Sequence, residues 1–114
     1  MTDCLFCRII AREAPARIVF EDERVLAIED IHPQAPVHVL VIPKEHIVSL
    51  EKAPAGREDL LGHLLYAARA VARERGLAAG GYRIVINNGR DSGQAVDHLH
   101  VHVLGGRRLS WPPG

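Results

Sequence analysis

Three histidines in strict alternation with apolar residues limit the local structure of this 114-residue chain more than any other feature. In "HLHVHVL", residues 98–104, the positions between His98, His100 and His102 hold leucine and valine. Alternate side chains of a β-strand share one face at intervals of roughly 6.6 Å. The segment therefore predicts a strand with its imidazoles on one face and its apolar side chains facing the opposite way.

Four further apolar segments are typical of strands, at residues 18–20, 25–29, 38–43 and 82–87. The first two flank the polar stretch "EDER" and predict a hairpin. The third is β-branched and bounded by prolines, which indicates a buried strand.

Residues 57–76 instead have the helical period, with leucine and alanine recurring at three and four positions and arginines on the other side. Gly76 is a natural end for this helix. A second, short helix is predicted in "CLFCRIIAR", residues 4–12. The order of elements predicts an α+β domain, a five-stranded antiparallel sheet with the long helix on one face.

Length and charge limit the number of domains and the class of partner. The chain fits a single domain, residues 1–114, with residues 105–114 as an extended tail. Its 14 basic residues balance its 14 acidic ones, so we expect neither nucleic acid nor a membrane as a partner. No secretory signal or spanning segment is recognisable, so we expect a cytoplasmic protein.

Two chemistries suit histidines at this spacing: metal ligation, and covalent phosphate chemistry in which one imidazole attacks phosphorus. The polar loop "NNGRDSGQAV", residues 87–96, can present backbone N–H groups to an anion. The neighbouring carboxylate, Asp97, would point away from the histidine face. These surroundings favour phosphate. We expect the isolated His32 and His63 to be ordinary exposed histidines.

The cysteine pair, Cys4 and Cys7, closes too short a loop for a useful structural disulfide. Free thiols at this spacing point to metal or redox chemistry, although nothing around them resembles a thioredoxin setting. Two inert thiols are the third alternative.

The motif "HLHVHVLGG" resembles the His-X-His-X-His-X-X signature of the histidine triad (HIT) superfamily of nucleotide hydrolases and transferases. The stretch "DIHPQAPVHVLVIPKEHI", residues 30–47, and the ending "LGGRRLSWPPG" are similar to the Hint branch, the purine nucleoside phosphoramidases. The similarity spans essentially the whole chain. It implies a HIT-like fold, a homodimer, and hydrolysis of the P–N bond of purine nucleoside 5′-phosphoramidates through a nucleotidyl-histidine.

The resemblance also implies roles for single residues. His100 would be the nucleophile and His102 a phosphate ligand, while His38 and His98 complete the catalytic group and Asp30 binds the ribose. A purine slot would be formed by apolar residues, and the phosphate loop and the partner's tail would complete the nucleotide site. These residues are Leu5, Phe6, Ile9, Ile28 and Ile31 for the slot, Asn87, Gly93, Gln94 and Ala95 for the loop, and Trp111 for the tail.

Two positions depart from the family pattern. Ala95 stands where many relatives carry serine, so we expect the reaction to survive with an altered rate or leaving-group preference. Asp97 stands where an aromatic residue is common, which we expect to affect packing or a subunit edge.

The resemblance further implies a metal site. In some bacterial relatives an N-terminal CxxC joins the histidine of a "PKxH" motif and the first triad histidine around a structural zinc. This chain has the same four residues, Cys4, Cys7, His46 and His98. Two thiolates and two imidazoles suit a closed tetrahedral Zn²⁺ site, and catalysis itself would need no metal.

Two other functions stay open. One is the dinucleoside polyphosphate hydrolase or nucleotidyl transferase branch of the same superfamily, against which the "WPPG" ending argues. The other is a nucleotide-binding module whose catalysis is incidental to the binding of a partner protein.

Overall fold

A computed structural model describes residues 3–114; Met1 and Thr2, the first two residues of the predicted domain, lie outside the described residues. Within this range the chain forms two α-helices, five strands and a 3₁₀ turn. The elements are α1 (Leu5–Ile10), β1 (Ile18–Glu21), β2 (Val25–Glu29), β3 (Val37–Pro43), α2 (Glu58–Glu74), β4 (Tyr82–Val85) and β5 (Val101–Gly105). The α+β class and the short N-terminal helix are confirmed.

The strands form one antiparallel sheet in the order β1-β2-β3-β5-β4. The predicted hairpin is the β1–β2 pair. The central strand β3 pairs with β2 on one side and β5 on the other, with Val39 opposite Val103 and Leu40 opposite His102.

Both faces of the sheet are covered. On one face the valines of β2, β3 and β5 pack with α2 in the main core cluster. On the other face Leu26, Ile28, Leu40 and Ile42 pack with residues of α1 in a second cluster. Because both faces are buried, β2 and β3 are apolar along almost their whole length instead of alternating.

The long helix follows the predicted period. α2 buries leucine, alanine and valine side chains against the sheet, and its first turn carries Glu58 and Asp59. Gly76, just beyond its end, has φ 76°, a left-handed conformation that glycine adopts without the clash of a side chain. The predicted bounds of 57–76 exceed the observed helix by one residue at its start and two at its end.

The strand predicted at residues 98–104 is wrong at its start. β5 begins at Val101, so His98 and His100 precede the ladder. Continuing the register would place Leu99 opposite Pro43, which has no N–H to donate; the Leu99 N–H instead donates to the Ile47 carbonyl at 2.6 Å. The alternation nonetheless persists, because Leu99 packs in the core cluster of α2 as predicted.

The predicted range of β4, residues 82–87, is also longer than the observed strand. It ends at Val85 instead of residue 87, and the partner of Val85 is His102, one residue from the start of β5. The remaining strands match their predicted bounds to within one residue.

The end of β5 offers a steric test of this packing. A Cβ on Gly105 would lie 2.8 Å and 2.9 Å from the two terminal carbons of the Leu77 side chain. We expect Gly105→Ala to lower the free energy of unfolding by about 1–2 kcal/mol, since Leu77 is buried and can yield only in part. Urea denaturation followed by circular dichroism measures this change.

Gly80→Ala is the matched control, because a Cβ there has no atom within 4 Å. In a Leu77→Ala background the Gly105→Ala change should cost almost nothing. An equal cost in both backgrounds would contradict the proposed clash.

Candidate functional site

The sheet face opposite α2 carries a connected group of histidines. His38 comes from β3, His102 from β5, and His98 and His100 from the segment that leads into β5. Three of them, His38, His98 and His100, are buried. Buried imidazoles need hydrogen-bond partners, and here the partners determine which ring nitrogen carries the proton.

The first pair of rings is His38 and His102. The backbone N–H of Gln34 donates to His38 Nδ1 at 3.0 Å, so the proton of neutral His38 is on Nε2. That Nε2–H faces His102 Nδ1 at 2.9 Å, which leaves the proton of His102 on its own Nε2. His102 therefore presents an N–H donor on the far side of its ring.

Both rings are held neutral. Burial lowers the pKa of His38, although nearby Asp30 opposes this effect. Burial, together with the positive charges of His100 and His38 when these are protonated, lowers the pKa of His102 to about 4, although Asp30 opposes the effect. An anion placed here would meet a hydrogen-bond donor from His102 and not a positive charge.

The donor on His102 is also unused. Among the described residues, His102 Nε2 is the buried side-chain nitrogen or oxygen that has no hydrogen-bond partner. Leaving such a donor unpaired costs roughly 1–3 kcal/mol. A ligand oxygen placed beside it would recover part of that cost.

His100 presents the complementary group. Its Nδ1 lies 2.7 Å from the carbonyl oxygen of His98, and because a carbonyl only accepts, Nδ1 carries the proton. In the neutral ring the lone pair is then on Nε2. The His100 and His102 ring centroids are 5.0 Å apart, so a potential nucleophile stands beside a potential donor to a phosphate oxygen.

Asp30 lies at the edge of this group. Its Oδ1 accepts from the His32 N–H at 2.8 Å in a turn, and its Oδ2 lies 3.4 Å from His38 Nε2. Asp30, His38 and His102 could also be considered as metal ligands. The tautomer imposed by Gln34 argues against it, since His38 Nε2 already carries a proton.

The five residues predicted for the purine slot do not share one environment. Phe6, Ile9 and Ile28 are buried in the second core cluster, whereas Ile31 is 81% exposed and Leu5 is also exposed. Leu5 lines a cavity of about 530 Å³ with Ala95, Val48 and His46, among others, and this cavity includes neither Ile28 nor Ile31.

Phe6 also has a contact that its sequence position does not indicate. Its ring packs edge-on against His98 and His100, with centroid separations of 5.8 Å and 5.2 Å. The residue thus touches the histidine group directly.

In the polar loop, Gln94 is occupied with closing the loop. Its Oε1 accepts from the Gly89 N–H at 2.8 Å, and its Nε2 donates to the carbonyls of Val48 and Val96. Gly93 has φ 87° and ends the 3₁₀ turn. Asn87 is half-buried just beyond β4.

Trp111 does not reach the histidines of its own chain in any of its described ring contacts. Its side chain is 79% exposed, and its ring lies 5.8 Å from the guanidinium of Arg83 on β4. Arg83 also donates to the carbonyl of Ser110 at 2.9 Å, which ties the tail to the sheet edge.

A second cluster joins the start of α1 to the same segment. Cys4, Cys7, His46 and His98 have ligand atoms that all lie within 4.8 Å of one another. His98 Nε2 lies 2.9 Å from the Pro43 carbonyl and so carries the proton, which directs the lone pair on Nδ1 into the cluster. Cys4 Sγ lies 3.3 Å from His98 Nδ1, Cys7 Sγ lies 3.2 Å from His46 Nδ1, and the two Nδ1 atoms are 3.2 Å apart.

These separations fit a metal. Tetrahedral Zn²⁺ with two thiolates and two imidazoles has ligand–ligand separations of roughly 3.3–3.8 Å. The Pro43 carbonyl supplies the outer hydrogen bond that fixes the tautomer of a metal-binding histidine. Burial, together with the hydrogen bond and charge of Cys4, raises the pKa of the Cys7 thiol to about 11. Metal binding must therefore displace thiol protons.

Reasoning from the sequence missed the groups that assign these protons. They are the N–H of Gln34 and the carbonyls of Pro43 and His98, which are backbone groups and leave no side-chain pattern to detect. The expectation for His63 is corrected, because it is half-buried and its Nε2 lies 2.6 Å from Asp22 Oδ2.

The lowered pKa of His102 predicts acid sensitivity of the fold. Above a pH of about 6.5 the ring is neutral in both states; between about 6.5 and 4 the unfolded chain binds a proton that the folded protein does not. Stability should therefore fall as the pH falls through this window. His102→Asn, which keeps an acceptor near the position of Nδ1, should reduce the slope of melting temperature against pH.

His32→Asn is the control, because His32 is exposed. Both variants retain the Cys/His cluster, so acid release of a metal affects them equally. Identical slopes for the two variants would show that His102 does not titrate as its burial requires.

Comparisons with known proteins identify the family of the chain. The family model described as "HIT domain" matches residues 11–109. A protein of Arabidopsis thaliana named adenylylsulfatase HINT1 is 52% identical over 96% of this chain and 76% of its own length, and a 14 kDa zinc-binding protein of Zea mays is 51% identical over 96% and 87%. The crystal structure of a HIT family hydrolase from Legionella pneumophila is similar with a TM-score of 0.96 at 47% identity, covering 98% of this chain and 100% of that one. With the triad, the fold and these matches in agreement, the chain belongs to the HIT family.

Proposed function

We propose that the protein hydrolyses the P–N bond of purine nucleoside 5′-phosphoramidates through a nucleotidyl intermediate on His100. The observation that carries this proposal is the pairing of proton positions: a lone pair on His100 Nε2 beside an unused N–H on His102 Nε2. A nucleophile and a donor to the oxygen that gains charge are the two groups that covalent phosphoryl chemistry requires.

In the first step, the lone pair of His100 Nε2 attacks the α-phosphorus and the bond from phosphorus to the amine nitrogen breaks. The amine takes a proton from water as it leaves. His102 Nε2–H donates to a non-bridging oxygen, and the His98 carbonyl accepts from Nδ1–H of the imidazolium that forms. In the second step, water attacks phosphorus and gives a proton to the hydroxide left by the first step. The bond from phosphorus to His100 Nε2 breaks, the nucleoside monophosphate is released, and His100 returns to its neutral form.

Substrate binding belongs to the same proposal. Asp30 would accept from the ribose hydroxyls, because its carboxylate lies beside His38 at the edge of the histidine group. The exposed side chains of Leu5 and Ile31 would offer apolar surface for a purine, and the buried Phe6, Ile9 and Ile28 would support that surface from the core. The loop of Asn87, Gly93, Gln94 and Ala95 would surround the phosphate.

A second candidate substrate is adenylyl sulfate, because the Arabidopsis thaliana relative is named an adenylylsulfatase. The chemistry at phosphorus would be the same, but the leaving group differs. Sulfate is a weak base that departs without a proton, whereas an amine needs one. A methyl group at Ala95, where a hydroxyl could assist a leaving amine, makes this second substrate worth testing.

We also propose a homodimer. Strand β4 is an edge of the sheet, and Tyr82 on it, with Leu65 and Tyr66 on α2, exposes apolar surface. In such a dimer the tail, tied to β4 through Arg83, could bring Trp111 to the partner's nucleotide site.

No helix among the described residues is both long and apolar enough to cross a membrane. We propose the cytoplasm as its location, a reducing compartment in which Cys4 and Cys7 would not form a disulfide.

The metal cluster completes the proposal. Cys4, Cys7, His46 and His98 would hold Zn²⁺, which when bound would crosslink α1 to the segment before β5 and leave no position for a reacting water. The zinc-binding relative of Zea mays supports the choice of metal.

The reaction is tested with three substrates: an adenosine 5′-phosphoramidate of an aromatic amine, adenylyl sulfate, and a dinucleoside tetraphosphate. We expect turnover of the phosphoramidate, lowered by about a thousandfold or more in His100→Ala because no other group replaces the nucleophile. Product formation is followed by chromatography of AMP.

Ala95→Ser is tested beside His100→Ala, since the added hydroxyl should raise phosphoramidate turnover relative to adenylyl sulfate turnover. Turnover of the tetraphosphate alone would favour the polyphosphate hydrolase branch. Tight AMP binding without turnover of any substrate would favour a non-catalytic nucleotide-binding protein.

The zinc proposal predicts close to one zinc per chain in protein purified without chelator. Because Cys4 Sγ is a ligand in this proposal, Cys4→Ala should remove most of the metal and lower the melting temperature. Elemental analysis and calorimetry measure these changes. His32→Ala, remote from the cluster, should retain the zinc; equal zinc contents in the two variants would argue against the site.

A further inference from the structure

His98 takes part in both the metal cluster and the histidine group. Its side chain directs Nδ1 toward Cys4 and Cys7 in the metal cluster. Its backbone carbonyl, in the same residue, lies 2.7 Å from His100 Nδ1 and holds the proton there. Any shift of His98 that follows a change in the cluster also moves the group that orients His100.

Phe6 is a second physical link between the same two places. It lies in α1 between Cys4 and Cys7, and its buried ring packs edge-on against both His98 and His100. The cysteines determine where α1 begins, because Cys4 Sγ accepts from the Cys7 N–H at the helix N-cap. The position of the Phe6 ring therefore depends on the cluster.

We propose that the Cys4–Cys7–His46–His98 cluster, when it holds a metal, positions His100 for attack through the His98 carbonyl and the Phe6 ring. This inference rests on the proposed role of His100 as nucleophile, and it adds a catalytic effect to a metal that was proposed only as structural. His98 and Phe6 are positioning residues in this scheme, since neither needs to touch the substrate.

Without metal, the protein would hold His98 and Phe6 less firmly in position. Hydrogen bonds of thiol sulfur are weak, and the cluster is open to water on one side, since His46 is exposed and both cysteines are half-buried. Four metal–ligand bonds would replace these contacts. Because covalent attack tolerates little misalignment, a loose His98 would slow the reaction even in a folded protein.

The expected kinetic signature is specific. The nucleotide would be bound by Asp30, His102 and the exposed side chains of Leu5 and Ile31, none of which is a ligand of the cluster. Loosening the cluster should therefore lower the rate of attack and leave the affinity for AMP unchanged. If Phe6 acted only as part of a purine slot, its substitution would weaken AMP binding instead.

The experiment compares the zinc-loaded protein, the chelator-treated protein, Cys4→Ser and Phe6→Leu. Serine at position 4 retains an N-cap oxygen for α1 but removes the thiolate. Val71→Ala is the matched control, since it weakens the core on the opposite face of the sheet without touching the cluster. All proteins are first confirmed to be folded by circular dichroism at the assay temperature.

Two readouts are measured on each protein. The first is the single-turnover rate of the nucleotidyl-His100 adduct, trapped by a denaturing quench at alkaline pH, where its P–N bond is stable, and measured by mass spectrometry, together with the Kd for AMP. The second is the ¹⁵N NMR signature of His100 without substrate, which distinguishes a ring protonated only at Nδ1 from a mixture of tautomers. Zinc alone is added back as the final step.

We expect chelation, Cys4→Ser and Phe6→Leu each to slow adduct formation by about 10- to 100-fold with the AMP Kd unchanged. The His100 signal should become a mixture of tautomers after chelation and in Cys4→Ser. Added zinc should restore both readouts in the wild-type protein but not in Cys4→Ser, and Val71→Ala should match the wild type.

A folded, zinc-free protein with the wild-type adduct rate and an unchanged His100 signal would overturn the inference. A weaker AMP Kd with unchanged rate in Phe6→Leu would refute the role of Phe6. If the zinc-loaded protein forms no adduct at all, the proposed function fails, and the NMR signature alone then decides whether the cluster positions His100.

Discussion

The antiparallel pairing of β3 with β5 is the interaction on which the rest of the structure depends. It places valines of both strands together on the α2 face and His38, Leu40 and His102 on the other face. A slip of one residue would exchange the two faces and bury imidazoles beneath α2, so the hydrophobic pattern strongly specifies this register. The histidine group is thus a by-product of the same alternation that builds the core.

Much of this arrangement could be predicted from the sequence. Periodicity located both helices and all five strands, because each buries one face or both and its pattern reports that burial. The Cys/His cluster could be reached only through resemblance, since Cys4 and His98 are 94 positions apart and no local pattern connects them.

Other features could not be predicted. The start of β5 depends on Pro43 of the neighbouring strand β3. The pattern of residues 98–104 alone contains no information about that proline. Of the five apolar residues predicted for the purine slot, three are core residues and two are exposed. Apolar side chains have the same signature in both settings, so only the packed structure separates them.

The histidines also show how burial differentiates chemically identical groups. His98, His100 and His102 occupy alternate positions, yet each has a different partner: a carbonyl and a thiol cluster, a second carbonyl, and a neighbouring imidazole. Each partner selects a tautomer, and desolvation holds His98 and His102 neutral by lowering their pKa. In a site of low dielectric, oriented dipoles of this kind interact with an anion without the large cost of burying a charge.

The Gln34 N–H fixes the tautomer of His38 and, through it, that of His102. An amide hydrogen is common to nineteen of the twenty amino acids, so position 34 is free to drift in side chain while the donor persists. Alanine there would remove the hydrogen bond from Gln34 Nε2 to the His32 carbonyl but would leave the backbone donor in place, whereas proline deletes it. The orientation of His38 and His102 therefore depends on a backbone group that ordinary side-chain substitution does not remove.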